Sequence, residues 1–135
     1  MNTDSINLIQ HYYTAFNNGD IDTFLSLLTD DVIHDINQGK REIGKAAFKQ
    51  FMACMNHNYK EHLTDMVIMA NENGSRAAAE FIVNGEYLNS DEGLPAANGQ
   101  KYRLPAGAFF EIKDNKVARI TNYYNLQDWI AQVEQ

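Results

Sequence analysis

Tyr102–Asn125, YRLPAGAFFEIKDNKVARITNYYN, is the stretch whose reading decides the fold. Its two apolar and aromatic strings flank the tight turn Lys113-Asp114-Asn115-Lys116. Asp and Asn tolerate the positive φ angles that a short hairpin loop imposes, so the segment is predicted as two long antiparallel strands. A hairpin alone is marginal in water, and these strands are expected at the centre of a larger sheet, walling whatever pocket the protein has.

The neighbouring segments extend that sheet. Tyr59–Asn71 and Arg76–Asn89 read as two more strands, joined by the turn Asn71-Glu72-Asn73-Gly74. The polar stretch Ser90–Gln100, SDEGLPAANGQ, separates them from the hairpin and is expected to be a mobile flap. After the hairpin, Leu126, Trp129, Ile130 and Val133 mark a closing helix over Leu126–Val133.

The first half of the chain carries helical spacing instead. Ile6, Ile9, Tyr13 and Phe16 recur on one face, with Asp4 or Ser5 as cap and Gly19 ending the helix. Asp20 caps a second helix bearing Ile21, Phe24, Leu25, Leu27 and Leu28, which closes at Thr29-Asp30-Asp31. A short strand, Val32–Ile36, runs into the polar loop Asn37–Arg41. A third helix, over roughly residues 43–56, buries Ala47, Phe48, Phe51, Met52 and Met55. The predicted architecture is α+β in one domain, residues 1–135: three helices around a short strand, a four-stranded antiparallel meander and a last helix. Curved strongly, with helices across its concave side, such a sheet makes a cone with an apolar interior and one open mouth.

Composition excludes several classes. Of 135 residues, 44% are hydrophobic and 21% charged, the balance of an ordinary globular domain. A net charge of −7, with basic residues scattered among acids, argues against nucleic-acid binding. No apolar run approaches the ~20 residues of a membrane span, so no membrane partner is expected. The opening MNTDSINLIQ lacks the basic and then apolar order of a signal peptide, and Cys54 stands alone, so a reducing cytoplasm is the expected location. The four histidines, His11, His34, His57 and His62, show no metal-ligand spacing, and no glycine loop of the phosphate-cradling kind occurs. Neither metal nor cofactor is expected. Cys54 reads as a small core residue.

His34-Asp35 is the most chemical pair in the chain. Neighbours on a strand point to opposite faces, so one of the two can face the cavity. Val32, His34 and Ile36 share a face, which makes His34 the acid/base candidate if that face is inward, and Asp35 if a bulge reverses it. Tyr12 and Tyr13 lie 100° apart on the first helix: Tyr13 is assigned to the core, and Tyr12 is a candidate to line the cavity. Arg103 is a candidate for an anionic substrate group, or else a cross-strand ion-pair partner of Glu80 or Glu86.

Tyr12–Asp22 (YYTAFNNGDID), Leu28–Asp31 (LTDD) and the run IKDNKVARITNYYNLQDW ending at Trp129 resemble the ketosteroid isomerase-like and SnoaL-like branch of the nuclear transport factor 2 superfamily. The resemblance covers nearly the whole chain and implies the α+β cone, with a homodimer formed through the outer sheet face. Carried across, the isomerase's oxyanion Tyr falls on Tyr12, its base on Ile36, or on Asp35 after a one-residue shift, and its protonated Asp near Ala108. The epoxide hydrolase branch requires an Arg between two Asp residues, but Arg76–Asn89 holds no Arg-x-Asp, and Asn122 and Asn125 stand where acids are usual. A SnoaL-type acid/base at the end of the last long strand likewise falls on Asn122 or Asn125, and an amide cannot take that role. The same matching turns Phe81, Val83, Gly85, Ile120, Asn122 and Tyr124 inward and Glu80 outward.

These readings give a cofactor-free isomerase, cyclase or dehydratase acting on a small apolar carbonyl compound. His34 or Asp35 moves the proton, and Tyr12, Tyr124 and Asn122 orient the substrate oxygen. Phe51, Phe81 and Arg103 complete the candidate binding set. The alternatives are a binding protein for a hydrophobic metabolite and a dimeric scaffold with a vestigial pocket. A cavity holding His34 together with one strongly perturbed acid favours the enzyme.

Overall fold

The computed structural model describes residues 2–134; Met1 and Gln135, the ends of the expected domain, lie outside them. Helix α1 (Asn2–Asn18) is followed by the short α2 (Ile21–Ser26), strands β1 (Leu28–Asp35) and β2 (Arg41–Ile43), and α3 (Lys45–Asn58). Then come β3 (Tyr59–Ala70), β4 (Arg76–Tyr87), β5 (Gln100–Lys113), β6 (Lys116–Tyr124) and α4 (Leu126–Val133). None of the described helices is long and apolar enough to cross a membrane.

The six strands form one sheet in the order β2-β1-β6-β5-β4-β3. Strands β3 to β6 are the expected antiparallel meander, and the β5–β6 turn holds Asp114 and Asn115 at φ of 52° and 58°. The sheet continues past β6 through a parallel pair, β1 with β6, and ends on β2, which pairs antiparallel with β1. Helix α3 touches both β1 and β3, although these lie near opposite edges of the sheet. That is possible only if the sheet curls around the helices, and the curl creates the interior.

Local chemistry explains most boundaries. Gly19, at φ 67°, ends α1 while Asp20 N–H returns to the Ala15 carbonyl. The Asp20 carboxylate then accepts the Thr23 N–H at 3.2 Å and caps α2. Residues 41–43, expected as loop and helix start, form β2 instead, and three other expectations change. Helix α1 begins before Asp4 and Ser5, and the Ser5 hydroxyl donates to the Gly74 carbonyl, fastening the helix to the β3–β4 turn. Leu28 belongs to β1 rather than to α2, because Leu28 registers with Val117 and the Leu27 carbonyl accepts the Val117 N–H. Cys54 is exposed, not a core residue.

The core lies between α1, α3 and the concave face. Tyr12, Phe24, Phe48 and Phe110 interlock there, with Tyr12 edge-on to Phe110 at 5.5 Å and Phe24 to Phe48 at 5.6 Å. A second aromatic group, Tyr59, Tyr87, Tyr102 and Trp129, fastens α4 to the sheet. Fully burying each such ring contributes on the order of 2 kcal/mol, so the two clusters are a substantial part of the fold's stability.

Candidate functional site

Between the helices and the sheet lies a half-enclosed cavity of about 1170 Å³. Its walls are mainly aromatic and aliphatic, and two places in them hold titratable groups whose proton affinity burial alters.

The first is centred on His34. The β1 irregularity lies between Leu28 and Ile33, upstream of the catalytic candidates, so Val32 and His34 keep a common inward face. The imidazole is 2% exposed, stacked flat on Phe48 at 4.3 Å and met edge-on by Phe51 at 4.6 Å. Asn122 Nδ2 stands 3.5 Å from His34 Nε2, and His34 Nδ1 has no hydrogen-bond partner among the described residues. Burial pulls the imidazole pKa down to about 4, against a smaller upward pull from the Asp35 charge, so His34 is neutral at physiological pH. Tyr12 also lines the cavity, and burial raises its hydroxyl well above the ordinary phenol value. The Tyr13 hydroxyl, buried beside it, has no partner among the described residues.

The second place, missed in the sequence, is centred on Glu61. Glu61, Gly85 and Tyr102 are directly opposite one another across β3, β4 and β5. The Tyr102 ring lies over Gly85, and its hydroxyl donates to Glu61 Oε2 at 2.5 Å. Gly85 is what allows this: a Cβ there would stand 2.3 Å from Tyr102 Cζ. Glu61 lines the cavity, half-buried, and burial pushes its carboxyl pKa up while the Tyr102 hydrogen bond pulls it back in part. Burial first, and then the Glu61 charge, raise the Tyr102 hydroxyl far above its ordinary value. Close by, Tyr59 Oη donates to Asp91 Oδ2 at 2.8 Å. Tyr124, at the mouth and 39% exposed, has its pKa raised by partial burial and by the Glu61 and Asp91 charges.

Two of the sequence candidates lie elsewhere. Asp35 is on the face opposite His34. There Arg41 holds it with two hydrogen bonds of 2.6 and 3.0 Å, and Thr121 Oγ1 donates to it at 2.6 Å. The Arg41 hydrogen bond is the largest reason its pKa falls to about 2, so it is an ionised surface carboxylate and not a proton carrier in the cavity. Arg103 also points outward, exposed, 4.0 Å from Asp65 and opposite Asn84 rather than beside Glu80 or Glu86. Phe51, Phe81, Asn122 and Tyr124 all line the cavity.

The expected flap, Ser90–Gln100, is tied down. Tyr87 Oη donates to the Pro95 carbonyl at 2.6 Å and accepts the Asp91 N–H at 2.9 Å, while Gln100 Nε2 donates to the Val133 carbonyl. Among the described residues, no group of three His, Cys, Asp or Glu side chains is placed to hold a metal ion.

Glu61 had a usable sequence signal: an acid on the inward parity of a strand, between the apolar positions Tyr59 and Leu63. What no local pattern indicates is its partner, 41 residues away.

Residues 9–120 match the SnoaL-like domain family, and the chain belongs to that family. Among solved structures it is similar to a candidate polyketide cyclase from Pseudomonas putida KT2440, at 62% identity and a TM-score of 0.95, covering 96% of this chain and 97% of that one. A candidate polyketide cyclase from Xanthomonas campestris pv. campestris gives 55% identity and 0.95, covering 98% of each chain. An epoxide hydrolase-like enzyme from M. tuberculosis, at 16% identity and 0.79 over 98% of this chain and 91% of that one, shares the fold. No curated protein matches the chain.

Proposed function

We propose that this SnoaL-like domain is a cofactor-independent enzyme that moves protons on a small, mostly apolar carbonyl compound, as an isomerase, cyclase or dehydratase. The observation that carries the reading is that one cavity holds a neutral imidazole and a carboxyl raised by burial, His34 and Glu61. Titratable groups perturbed in this way are costly to maintain in an apolar wall and characterise proton-transfer sites. The 62% and 55% identical proteins are named as candidate polyketide cyclases, which favours ring closure among these reactions. His34, neutral throughout the physiological range, serves best as a hydrogen-bond donor to a substrate oxygen, steadied by Asn122, with the Tyr12 hydroxyl as a second contact.

The test is exchange of α-hydrogens for deuterium in a panel of neutral ketones, cyclohexanone, 2-tetralone and benzoylacetone, followed by NMR in D2O. Wild-type protein is expected to accelerate exchange of at least one, and His34→Gln to slow it about tenfold to a hundredfold. Binding without any exchange, read from Trp129 fluorescence, establishes the alternative: a binding protein for a hydrophobic metabolite. The absence of carboxyls at Ala108, Asn122 and Asn125 is what favours that second reading.

The outer sheet face supports a homodimer as part of the proposal. Val67, Met69, Phe109 and Tyr123 are 49%, 50%, 52% and 57% exposed, and Phe109 and Tyr123 meet edge-to-face at 5.9 Å. Phe109→Lys is expected to convert a dimer to a monomer in sedimentation; a wild-type monomer overturns this part.

A further inference from the structure

We infer that Glu61 is the general base of the cavity and that Tyr102, seated over Gly85, is the residue that positions it. The inference rests on the proton-transfer reading above and identifies the proton acceptor, a role that the weakly basic and nearly enclosed His34 fills poorly. Two features of the structure support it, and burial of the carboxyl adds to the second.

The first is geometry that needs the fold. Glu61 is on the edge strand β3 and Tyr102 on β5, with β4 between them. Two side chains that far apart meet only if the intervening position has no side chain, and that position is Gly85. Three residue choices on three strands therefore serve a single 2.5 Å hydrogen bond. A merely structural tyrosine over glycine packs its ring without needing an acid at the end of it.

The second is the choice of partner. Each of the outer-face acids Asp35 and Glu111 has an arginine within 3.3 Å, while Glu61 has a phenol. A guanidinium clamps a carboxylate as an anion, occupies both its oxygens and lowers its basicity. A phenol hydroxyl fixes one oxygen, leaves Oε1 free to face the cavity and adds no positive charge. Burial then keeps the carboxylate more basic than one in water, which a base acting on a carbon acid requires.

The chemistry balances without a further reagent. The Glu61 carboxylate accepts a proton from the carbon beside a substrate carbonyl, and the C–H electron pair becomes the enolate. The resulting Glu61 carboxylic acid returns the proton to another carbon of the enolate, giving an isomer. In a ring closure it protonates the alkoxide formed when the enolate carbon attacks a second carbonyl. Among the lining residues the carboxylates of Glu61, Glu86, Asp91 and Glu92 outnumber the ammonium groups of Lys60 and Lys101, which favours a neutral over an anionic substrate.

The experiment uses full-length protein and 2-tetralone, with α-exchange measured from pH 5 to 9 and folding checked by thermal melting. Glu61→Gln, which keeps an acceptor for Tyr102, is expected to lose at least about a hundredfold in exchange rate while still binding the ketone. Tyr102→Phe removes a hydrogen bond to the anionic base, so the acid limb of its rate profile should move up by about one pH unit, with the plateau rate largely retained. A purely packing role for Tyr102 changes stability and leaves that limb in place. Glu61→Gln exchanging at the wild-type rate while His34→Gln does not overturns this inference and leaves the proton-transfer reading standing. Exchange that neither substitution affects overturns both.

Discussion

Asp35 on β1 and Glu61 on β3 each accept a short hydrogen bond from a hydroxyl on another strand, Thr121 at 2.6 Å and Tyr102 at 2.5 Å. Asp35 lies on the convex side, where Arg41 adds two hydrogen bonds, and its pKa falls to about 2. The ionic run continues along that face: Arg119 Nη1 donates to Thr121 Oγ1 at 2.9 Å and pairs with Glu111, which also pairs with Arg76. Glu61 lies on the concave side, lining the cavity, with no salt bridge among the described residues, and its pKa rises. The hydroxyl contacts are alike, so they do not decide the outcome. Burial and the presence or absence of a guanidinium do. One side of the sheet holds its acids as fixed anions, and the other keeps a carboxyl able to take up and release a proton.

The contrast can be tested first at His34, the other inward titratable group. Its folded pKa of about 4 lies below the ordinary value, so between pH 6.5 and 4 the unfolded chain binds a proton that the folded chain does not. The contribution to stability is fully present above pH 6.5 and is lost as pH falls towards 4, a change of roughly 3 kcal/mol. His34→Phe, which keeps an aromatic ring against Phe48, should flatten that part of the stability–pH curve in urea titrations. An unchanged slope means His34 titrates normally and the inner face is wetter than described.

A smaller effect is expected at Gly85. Gly85→Ala places a methyl group against the Tyr102 ring, and overpacking of this kind costs about 1–3 kcal/mol. The urea midpoint should fall, and exchange activity should fall with it because Tyr102 can no longer reach Glu61. A stable Gly85→Ala protein with full activity separates the glycine from the acid.

The smallest effect is expected on the outer face. Asp35→Asn should leave ketone exchange within about twofold of wild type, because its carboxylate lies on the face away from the cavity. It should also lower the His34 pKa slightly, since the Asp35 charge favours the imidazolium. A large loss of activity in Asp35→Asn breaks the division between the two faces.

Much of the fold was legible in the chain. The Asp-Asn turn, the strand periods from Tyr59 onward and the Gly19-Asp20 break each depend on residues adjacent in sequence, and each stands as read. The parity argument on β1 put His34 on one face with Val32 but left open which way that face turns, and the fold turns it into the cavity. Strand β2 was not legible, because Arg41, Glu42 and Ile43 carry no strand signal and become a strand only by pairing with Ile33, His34 and Asp35. Leu28 was misread for the same reason, since its strand partner Val117 is supplied by the last hairpin.

The sequence by itself determined the order and type of most elements, the curved α+β plan and which side of each strand is apolar, because those follow from spacing within a few residues. Tertiary structure alone decided which polar side chains share the cavity. It set Tyr102 over Gly85 against Glu61, put Asp35 beside Arg41 and Thr121, and closed Phe48 and Phe51 around His34. Proton affinity depends on burial and on charges within a few ångströms, and those distances exist only once strands remote in sequence lie side by side.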